Sequence, residues 1–410
     1  MMIPLAAGRA DPDAILWRPT AERAATARLT DYRRWLAYRR GLRFDGYDDL
    51  WEWSVTETGP FWRSVVDYFQ VNLHGHSADA PALGVAEMPG ARWFPHALVS
   101  YAEHALRHTA DEDAAIVAID ETGATTTMSW RDLRRQVASV AESLRRWDIR
   151  PGDRVAGYVP NAIEAVVAFL ATASIGAVWS ACSPELGAST VAARFGQIRP
   201  RVLFAADGYF FGGHRHDRRA EGMEVLRALP TVEHHVHIPH LGTSAPAGST
   251  EWSELVAHPA VPSFEHVGFD HPLWILYSSG TTGTPKAIVH SHGGILLEHS
   301  KFHGLHLDLS PGDRFLWHTT TSWMMWNVLV SGLLTGATIV LYDGSPTHPG
   351  PDRLWQIADR VGATFAGAGA AYHSACERAG LRVGDRFALE RLRSVGSTGS
   401  PLPAAAARWI

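Results

Sequence analysis

The chain has 410 residues, of which 46% are hydrophobic and 19% charged, and its formal net charge is −5. This length and apolar content support a large buried core, and the small acidic excess without a basic stripe argues against a nucleic-acid partner. The two cysteines, Cys182 and Cys376, are too few for a disulfide framework and favour a reducing, cytoplasmic environment.

Residues 1–100 carry many aromatic side chains in short amphipathic segments. They predict an N-terminal helical extension that packs its rings on the main body. The first nine residues lack the charged and long apolar regions of a signal peptide. A linker rich in Ala, Pro and Gly is expected over residues 75–95.

From Asp111 onward, predicted strands alternate with predicted helices. Ser129 and Asn161 are expected to cap helices, and a third helix is predicted over residues 190–198. This alternation predicts an α/β fold with parallel βαβ sheets that are covered on both faces. The strands are predicted at residues 114–119, 154–158, 177–181, 201–205, 273–277, 313–317, 337–342 and 392–396.

The uncharged stretch 165–182 is close to the lower length limit of a membrane span. It contains Thr172 and Ser174, and Gly176 interrupts it before an apolar run. A buried helix followed by a central strand explains this pattern better, so no membrane partner is expected.

A loop dense in hydrogen-bond donors follows the predicted strand 273–277. Glycines allow backbone N–H groups to approach one anion, and hydroxyls with a lysine ammonium complete a polyphosphate cradle. The spacing differs from the Walker form, because Thr284 and Pro285 separate Gly283 from Lys286. The candidate phosphate-binding residues are Ser278, Ser279, Gly280, Thr281, Thr282, Gly283, Thr284 and Lys286.

The motif Ser-Gly-Thr-Thr-Gly-x-Pro-Lys, ending at Lys286, resembles the phosphate loop of the adenylate-forming acyl-CoA synthetases. The resemblance implies an enzyme that activates a carboxylate with ATP and Mg²⁺ and transfers the acyl group to coenzyme A. It also implies that Lys286 is the catalytic cation. No protein ligand to a metal is assigned.

A second motif, residues 318–327, resembles the segment that closes the acyl pocket in short-chain members of this family. By this resemblance, Trp323 and Met324 form the pocket wall, whereas Trp326 is expected in the core. Ser322 stands where the family pattern has glycine. The form Thr-Thr-x-Trp-Met-Met-Trp-Asn resembles the branch of the family that activates acetoacetate.

A third motif, residues 396–402, is a turn of small residues after the last predicted strand. By resemblance, Gly399, Ser400 and Pro401 line the adenine site, and Thr398 faces the acyl group. Pro401 is expected to open a helix. The Gly-Ser-Pro form again resembles the acetoacetate branch.

The stretch 206–215 resembles a region that approaches the nucleotide end of coenzyme A in related enzymes, with His214 where the branch has lysine. Histidines cluster at 234–240, a pattern that fits either a zinc site or a solvated strand or loop. Because no Cys or carboxylate cluster joins them, the solvated strand or loop is expected. For His290 and His292, a structural role at the helix entry is expected.

The resemblance runs from residue 16 to Pro401 but covers only part of the family's length. It implies that residues 101–410 form an incomplete AMP-binding domain, without the small C-terminal domain that carries the family's adenylating lysine. A truncated enzyme that does not turn over by itself is therefore expected. Two alternatives stay open: a synthetase for acetate or propionate, and a non-catalytic nucleotide-binding fragment.

Overall fold

The computed structural model describes residues 15–77, 80–278 and 285–410. The predicted phosphate-loop residues Ser279, Gly280, Thr281, Thr282, Gly283 and Thr284 lie outside these ranges.

The N-terminal aromatic segment forms helices whose rings pack together. Tyr32, Trp35 and Tyr68 meet with ring centroids 5.0–6.2 Å apart, and Tyr32 is fully buried. Tyr32 belongs to the same core as the main body. The helices are α1 (Ala21–Thr26), α2 (Arg28–Arg40), α3 (Tyr47–Thr56) and α4 (Thr58–Tyr68).

The predicted linker is wrong in part, because it contains a short antiparallel pair, β1 (Leu83–Val85) with β2 (Arg92–Trp93). Strand β3 (Leu98–Val99) and helix α5 (Tyr101–Ala105) follow and lead into the α/β body.

The body consists of strands that alternate with helices, as the sequence predicts. The strands are β4 (Ala114–Asp120), β5 (Thr125–Ser129), β6 (Arg154–Tyr158), β7 (Val178–Cys182), β8 (Val202–Ala206), β9 (Gly208–Phe211), β10 (His214–Asp217), β11 (His234–Ile238), β12 (Thr250–Glu251), β13 (Val267–Gly268), β14 (Pro272–Ser278), β15 (Lys286–Ser291), β16 (Arg314–Trp317), β17 (Thr338–Asp343), β18 (Phe365–Gly369) and β19 (Ser394–Thr398). The helices are α6 (Trp130–Arg146), α7 (Ile163–Ser174), α8 (Ala188–Ile198), α9 (Arg219–Ala228), α10 (Trp252–Val256), α11 (His292–Lys301), α12 (Met324–Val330), α13 (Arg353–Val361), α14 (Ala370–Arg378) and α15 (Ala404–Trp409). A π-helical turn spans Phe302–His306, and 3-10 turns span Ser331–Thr335 and Val383–Asp385.

Two large sheets organise these strands within the described residues. One has the order β12-β11-β8-β6-β7-β14-β15 and is parallel except for the β14–β15 pair. The other has the order β19-β18-β16-β17-β4-β5 and is parallel except for the β4–β5 hairpin. The expected α/β fold with parallel βαβ units is therefore confirmed.

The N-caps predicted for α6 and α7 had different outcomes. Ser129 caps α6 as predicted, and its Oγ accepts a hydrogen bond from the Asp132 N–H at 3.1 Å. The cap of α7 is Ala162 rather than Asn161, so that prediction is wrong. Helix α7 is buried along almost its whole length, which accounts for its lack of charge. Across the described ranges, we find no helix with the length and apolar character that crossing a bilayer requires.

The C-terminal predictions were displaced by a few residues. Strand β19 begins at Ser394, two residues later than predicted, and therefore includes Thr398. Helix α15 begins at Ala404, so Pro401 lies outside it and does not open it.

The ring of Trp317, on β16, covers the two neighbouring strands β18 and β19 of the second sheet. The ring lies against Gly367 and Gly396, where an added Cβ would come within 2.2 and 2.4 Å of ring carbons. Only glycine fits at these two positions, because real side-chain carbons do not approach so closely.

Candidate functional site

The carboxyl ends of the parallel strands of the two sheets meet, and side chains after β16 bond to the first sheet. The Thr321 hydroxyl donates to the Val159 carbonyl at 2.7 Å, and the Ser183 N–H donates to Ser322 Oγ at 2.7 Å. In parallel α/β sheets, ligands bind at this end of the strands. The strand-end junction is therefore the candidate site.

Trp326 and Asn161 form a buried hydrogen-bonded pair at this junction. Trp326 is fully buried, as predicted, and its Nε1–H donates to Asn161 Oδ1 at 3.0 Å. The Asn161 amide in turn donates to the Tyr342 carbonyl at 3.4 Å. Asn161 therefore joins the two sheets instead of capping a helix.

A small cavity of about 90 Å³ opens at the junction. Trp323 contributes to its wall and is 63% exposed, whereas Met324 is half exposed and is not among the lining residues. The cavity is lined by Ser183, Glu185, Leu186, Arg194, Tyr277, Thr320, Ser322 and Trp323.

Several of these lining residues were not expected from the sequence. Ser183 directly follows β7, so its strand-end position was a usable signal. Arg194 lies within α8, and only the fold brings it to the cavity. The Tyr277 hydroxyl donates to the Arg194 carbonyl at 2.7 Å, and the guanidinium lies 5.7 Å from the tyrosine ring centroid. Burial raises the pKa of Tyr277, so its hydroxyl stays protonated.

The cavity is next to the base of the predicted phosphate loop. Ser278 and Lys286 pair in antiparallel register at the ends of β14 and β15. Gln197 of α8 donates to the Pro285 carbonyl at 3.1 Å and anchors that end. Lys286 is exposed at the first position of β15, and Tyr277, a cavity residue, precedes Ser278.

His290 and His292 have structural roles, as expected. His290 Nδ1 accepts from Trp274 Nε1–H at 2.8 Å, and His292 Nδ1 accepts from the Tyr101 N–H at 3.3 Å. Burial lowers the pKa of both rings, that of His292 to about 3. Both rings are therefore neutral near pH 7.

The turn with the predicted adenine contacts follows β19. Thr398 pairs in register with Gly369, and Gly399 has a φ of +89°, which glycine adopts readily. Ser400 and Pro401 are exposed. This turn and the segment after β16 both follow the carboxyl ends of parallel strands of the second sheet. The residues lining the described cavity do not include the turn.

Glu121 connects the second sheet to the hairpin formed by β9 and β10. Its carboxylate accepts hydrogen bonds from the N–H groups of Gly212, Gly213 and Ser345 at 2.8, 2.7 and 2.6 Å. Burial opposes the charged carboxylate, but these donors outweigh it, so the pKa of Glu121 is lowered. This contact could not be predicted from local sequence, because the partners of Glu121 are remote along the chain.

His235 and His237 of β11 are buried rather than solvated, which corrects the sequence-based expectation. His235 Nδ1 lies 2.7 Å from Ser249 Oγ, and His237 Nε2 lies 2.9 Å from the Thr243 carbonyl. In the described part of the chain, these histidines do not belong to a cluster with metal-ligand spacing.

Cys182, at the end of β7, is not a thiolate at neutral pH. Burial raises the pKa of its thiol to about 11. The site therefore offers no activated cysteine at this strand end.

Comparison with known proteins agrees with this geometry. The family model described as AMP-binding enzyme matches residues 102–410. Acetoacetyl-coenzyme A synthetase of Rhizobium meliloti (strain 1021) is 40% identical, over 94% of this chain and 60% of that protein. Malonamoyl-CoA synthetase vrtB of Penicillium aethiopicum is 38% identical, over 97% of this chain and 59% of that protein.

A solved structure of acetoacetyl-CoA synthetase from Streptomyces lividans superimposes with a TM-score of 0.93 at 53% identity. The superposition covers 96% of this chain and 61% of the Streptomyces lividans chain. The chain thus spans about 60% of the length of the relatives that it matches. Because the family model covers most of the chain, the chain belongs to the AMP-binding enzyme family.

Proposed function

We propose that this chain carries the nucleotide- and acyl-binding part of an acetoacetate–CoA ligase. The reaction joins acetoacetate and coenzyme A at the expense of ATP, giving acetoacetyl-CoA, AMP and pyrophosphate. The observation that carries the proposal is the small cavity bounded by Trp323, Ser322 and Tyr277, next to the base of the loop that ends at Lys286. The names of the relatives support the choice of acid.

The proposed roles follow the sequence motifs. Lys286 stabilises charge on the leaving pyrophosphate, and Ser278 with the loop residues up to Thr284 binds the polyphosphate. Gly399, Ser400 and Pro401 lie along adenine, and Trp323, Met324 and Thr398 surround the acyl group. Mg²⁺ enters as the counter-ion of ATP, and no described residue is assigned to it.

The chemistry needs no nucleophile from the protein. An acetoacetate carboxylate oxygen attacks the α-phosphorus of ATP, and the bond to pyrophosphate breaks. The thiolate of coenzyme A then attacks the acyl carbonyl, and AMP leaves with the electron pair of the mixed anhydride. The protonated state of Cys182 agrees with this route.

A related acid is the second candidate, because one relative is named malonamoyl-CoA synthetase. Malonamate and acetoacetate both have a carbonyl at C3, which a hydroxyl such as that of Thr398 could bind as a donor. Acetate and propionate lack this carbonyl. The division into a helical extension (1–100) and an adenylation domain (101–410), and the cytoplasmic location, stay predictions.

The test uses the chain alone and joined to the remaining C-terminal part of the Streptomyces lividans relative, whose full-length enzyme is the positive control. ATP binding is measured by equilibrium dialysis. Pyrophosphate release and thioester formation are then measured with acetoacetate, malonamate, acetate and propionate.

We expect ATP binding by the chain alone, and acetoacetyl-CoA formation by the joined protein with acetoacetate preferred. Preference for acetate or propionate would refute the acid assignment. ATP binding without turnover in a folded joined protein, while the relative turns over, would instead identify a non-catalytic nucleotide-binding chain.

A further inference from the structure

A compact group of side chains that can ligate a metal lies around the short strand β3. His74, Glu103 and His266 each offer one ligand atom, and all three atoms lie within 4.8 Å of one another. Glu103 Oε2 is 3.2 Å from His266 Nε2 and 3.6 Å from His74 Nε2. None of the three residues lines the strand-end cavity.

The two separations from Glu103 Oε2 are close to the spacing of ligands around a tetrahedral ion. With metal–ligand bonds of about 2.1 Å, neighbouring ligand atoms in a tetrahedron are about 3.4 Å apart. The two distances to Glu103 Oε2 lie on either side of this value. The imidazole rings are in contact, with centroids 3.9 Å apart, which is closer than two imidazoles on one tetrahedral ion, so binding requires the rings to move apart.

The backbone holds the three ligands in place without the ion. His74 exchanges two hydrogen bonds with Leu98 of β3, at 2.9 and 2.8 Å. His266 directly precedes β13, which pairs with the same strand. Glu103 lies in the first turn of α5, the helix that follows β3. The ligands therefore come from three segments arranged around one short strand.

The donor set selects the class of ion. Two imidazole nitrogens with one carboxylate oxygen are typical of Zn²⁺ and related first-row metals, whereas Mg²⁺ and Ca²⁺ prefer oxygen ligands only. The side chains of His74, Glu103 and His266 are 42%, 25% and 32% exposed. Solvent can therefore deliver an ion and supply water as the fourth ligand.

We propose that His74, Glu103 and His266 bind one divalent transition-metal ion of the Zn²⁺ class. The ion joins the segment after α4 to α5 and to the segment before β13. Its effect is to hold the N-terminal helices against the sheet, so that metal binding stabilises the fold. The proposal is independent of the ligase reaction.

The test measures Zn²⁺ binding to the metal-free chain by isothermal titration calorimetry, and Co²⁺ binding by visible absorption. We compare wild type with His266→Gln and Glu103→Gln, and with His258→Gln as a matched control at an exposed histidine outside the cluster. Gln keeps the side chain polar but replaces the imidazole nitrogen or the carboxylate with a neutral amide, which is a weaker metal ligand. Circular dichroism and the metal-free melting temperature verify that each variant is folded.

We expect one bound equivalent in wild type and His258→Gln, and at least tenfold weaker binding in the two cluster variants. Free Zn²⁺ at one hundred times Kd should raise the melting temperature of wild type by about 3 °C. A tetrahedral Co²⁺ band should appear in wild type and be lost in the cluster variants. Absence of binding in wild type, or unchanged binding in either folded cluster variant, would overturn the proposal.

Discussion

The backbone N–H of Ser183 donates a hydrogen bond to the side-chain oxygen of Ser322, with 2.7 Å between the two atoms. Ser183 directly follows a strand of one sheet, and Ser322 lies in the segment after a strand of the other. The motif around Ser322 resembles a pattern with glycine at this position, and glycine has no side chain to make this bond. The Ser322 hydroxyl thus makes a direct contact between the two sheets at the candidate cavity.

Replacing Ser322 with Ala should destabilise the junction. Ser183 is buried, so its N–H loses its partner at a cost of about 1–2 kcal/mol. Urea unfolding should show a lower midpoint, whereas Ser322→Thr should retain the midpoint because it keeps the hydroxyl. Ser253→Ala at an exposed position is the control. An equal midpoint for Ser322→Ala and wild type would contradict this account.

The sequence predicted the elements whose signals are local. Strand β6 was predicted with its exact bounds, because a short apolar run follows a Pro-Gly-Asp turn. The cap at Ser129 was also correct, since capping depends on residues three positions apart. These features depend on neighbours along the chain.

Features that depend on remote partners could not be predicted in this way. Asn161 resembled a helix cap, but its partner Trp326 is 165 residues away. Strand β19 was placed two residues early, because its register is set by β18 and not by its own composition. His235 is polar in sequence yet buried, because β11 lies inside a sheet.

Glu121 should contribute to stability in a pH-dependent manner. Its folded-state pKa is below its usual value. Its full contribution to the free energy of unfolding is therefore present at pH values above the ordinary carboxyl pKa. The contribution is lost as the pH falls from about 4.3 through the folded-state value. Glu121→Gln places an amide against backbone donors and should cost about 1–3 kcal/mol near pH 7.

The measurement is the difference between the urea midpoints of wild type and Glu121→Gln at about pH 6 and about pH 3.5. This difference should shrink at the lower pH. Glu390→Gln, at an exposed carboxylate, should show a small difference at both. If the difference in urea midpoint between wild type and Glu121→Gln does not change with pH, the carboxylate charge does not stabilise the contact with the β9–β10 hairpin.

Gly396→Ala should destabilise the second sheet by about 1–3 kcal/mol, because the added methyl group would overlap the Trp317 ring. Gly384→Ala is the control, since an added Cβ there has no neighbour within 4 Å. The double variant Gly396→Ala/Trp317→Phe should recover part of the loss, as the smaller ring vacates the space. If the losses of unfolding free energy of Gly396→Ala and Trp317→Phe simply add in the double variant, the two residues do not interact in this way.

Lys286→Ala should slow adenylation by about 10²-fold or more in the joined ligase, if Lys286 stabilises the leaving pyrophosphate. Pyrophosphate release at saturating acetoacetate measures the effect. Lys301→Ala is the matched control, because Lys301 pairs with Glu298 at 3.0 Å and is absent from the strand-end cavity. Release at the wild-type rate in Lys286→Ala would remove this role.

Trp323 should limit the length of the acid. Its ring contributes to the wall of the small cavity and is largely exposed, so its removal should enlarge the space without emptying the core. Trp323→Gly in the joined ligase should shift preference toward longer 3-oxo acids. Selectivity is measured as the ratio of kcat/KM values, and each methylene should change it by the equivalent of about 1–3 kcal/mol. Trp17→Gly is the control, because Trp17 is similarly exposed at 65% and lies outside the cavity. If the chain-length profile of Trp323→Gly equals that of wild type and Trp17→Gly, the acyl group binds elsewhere.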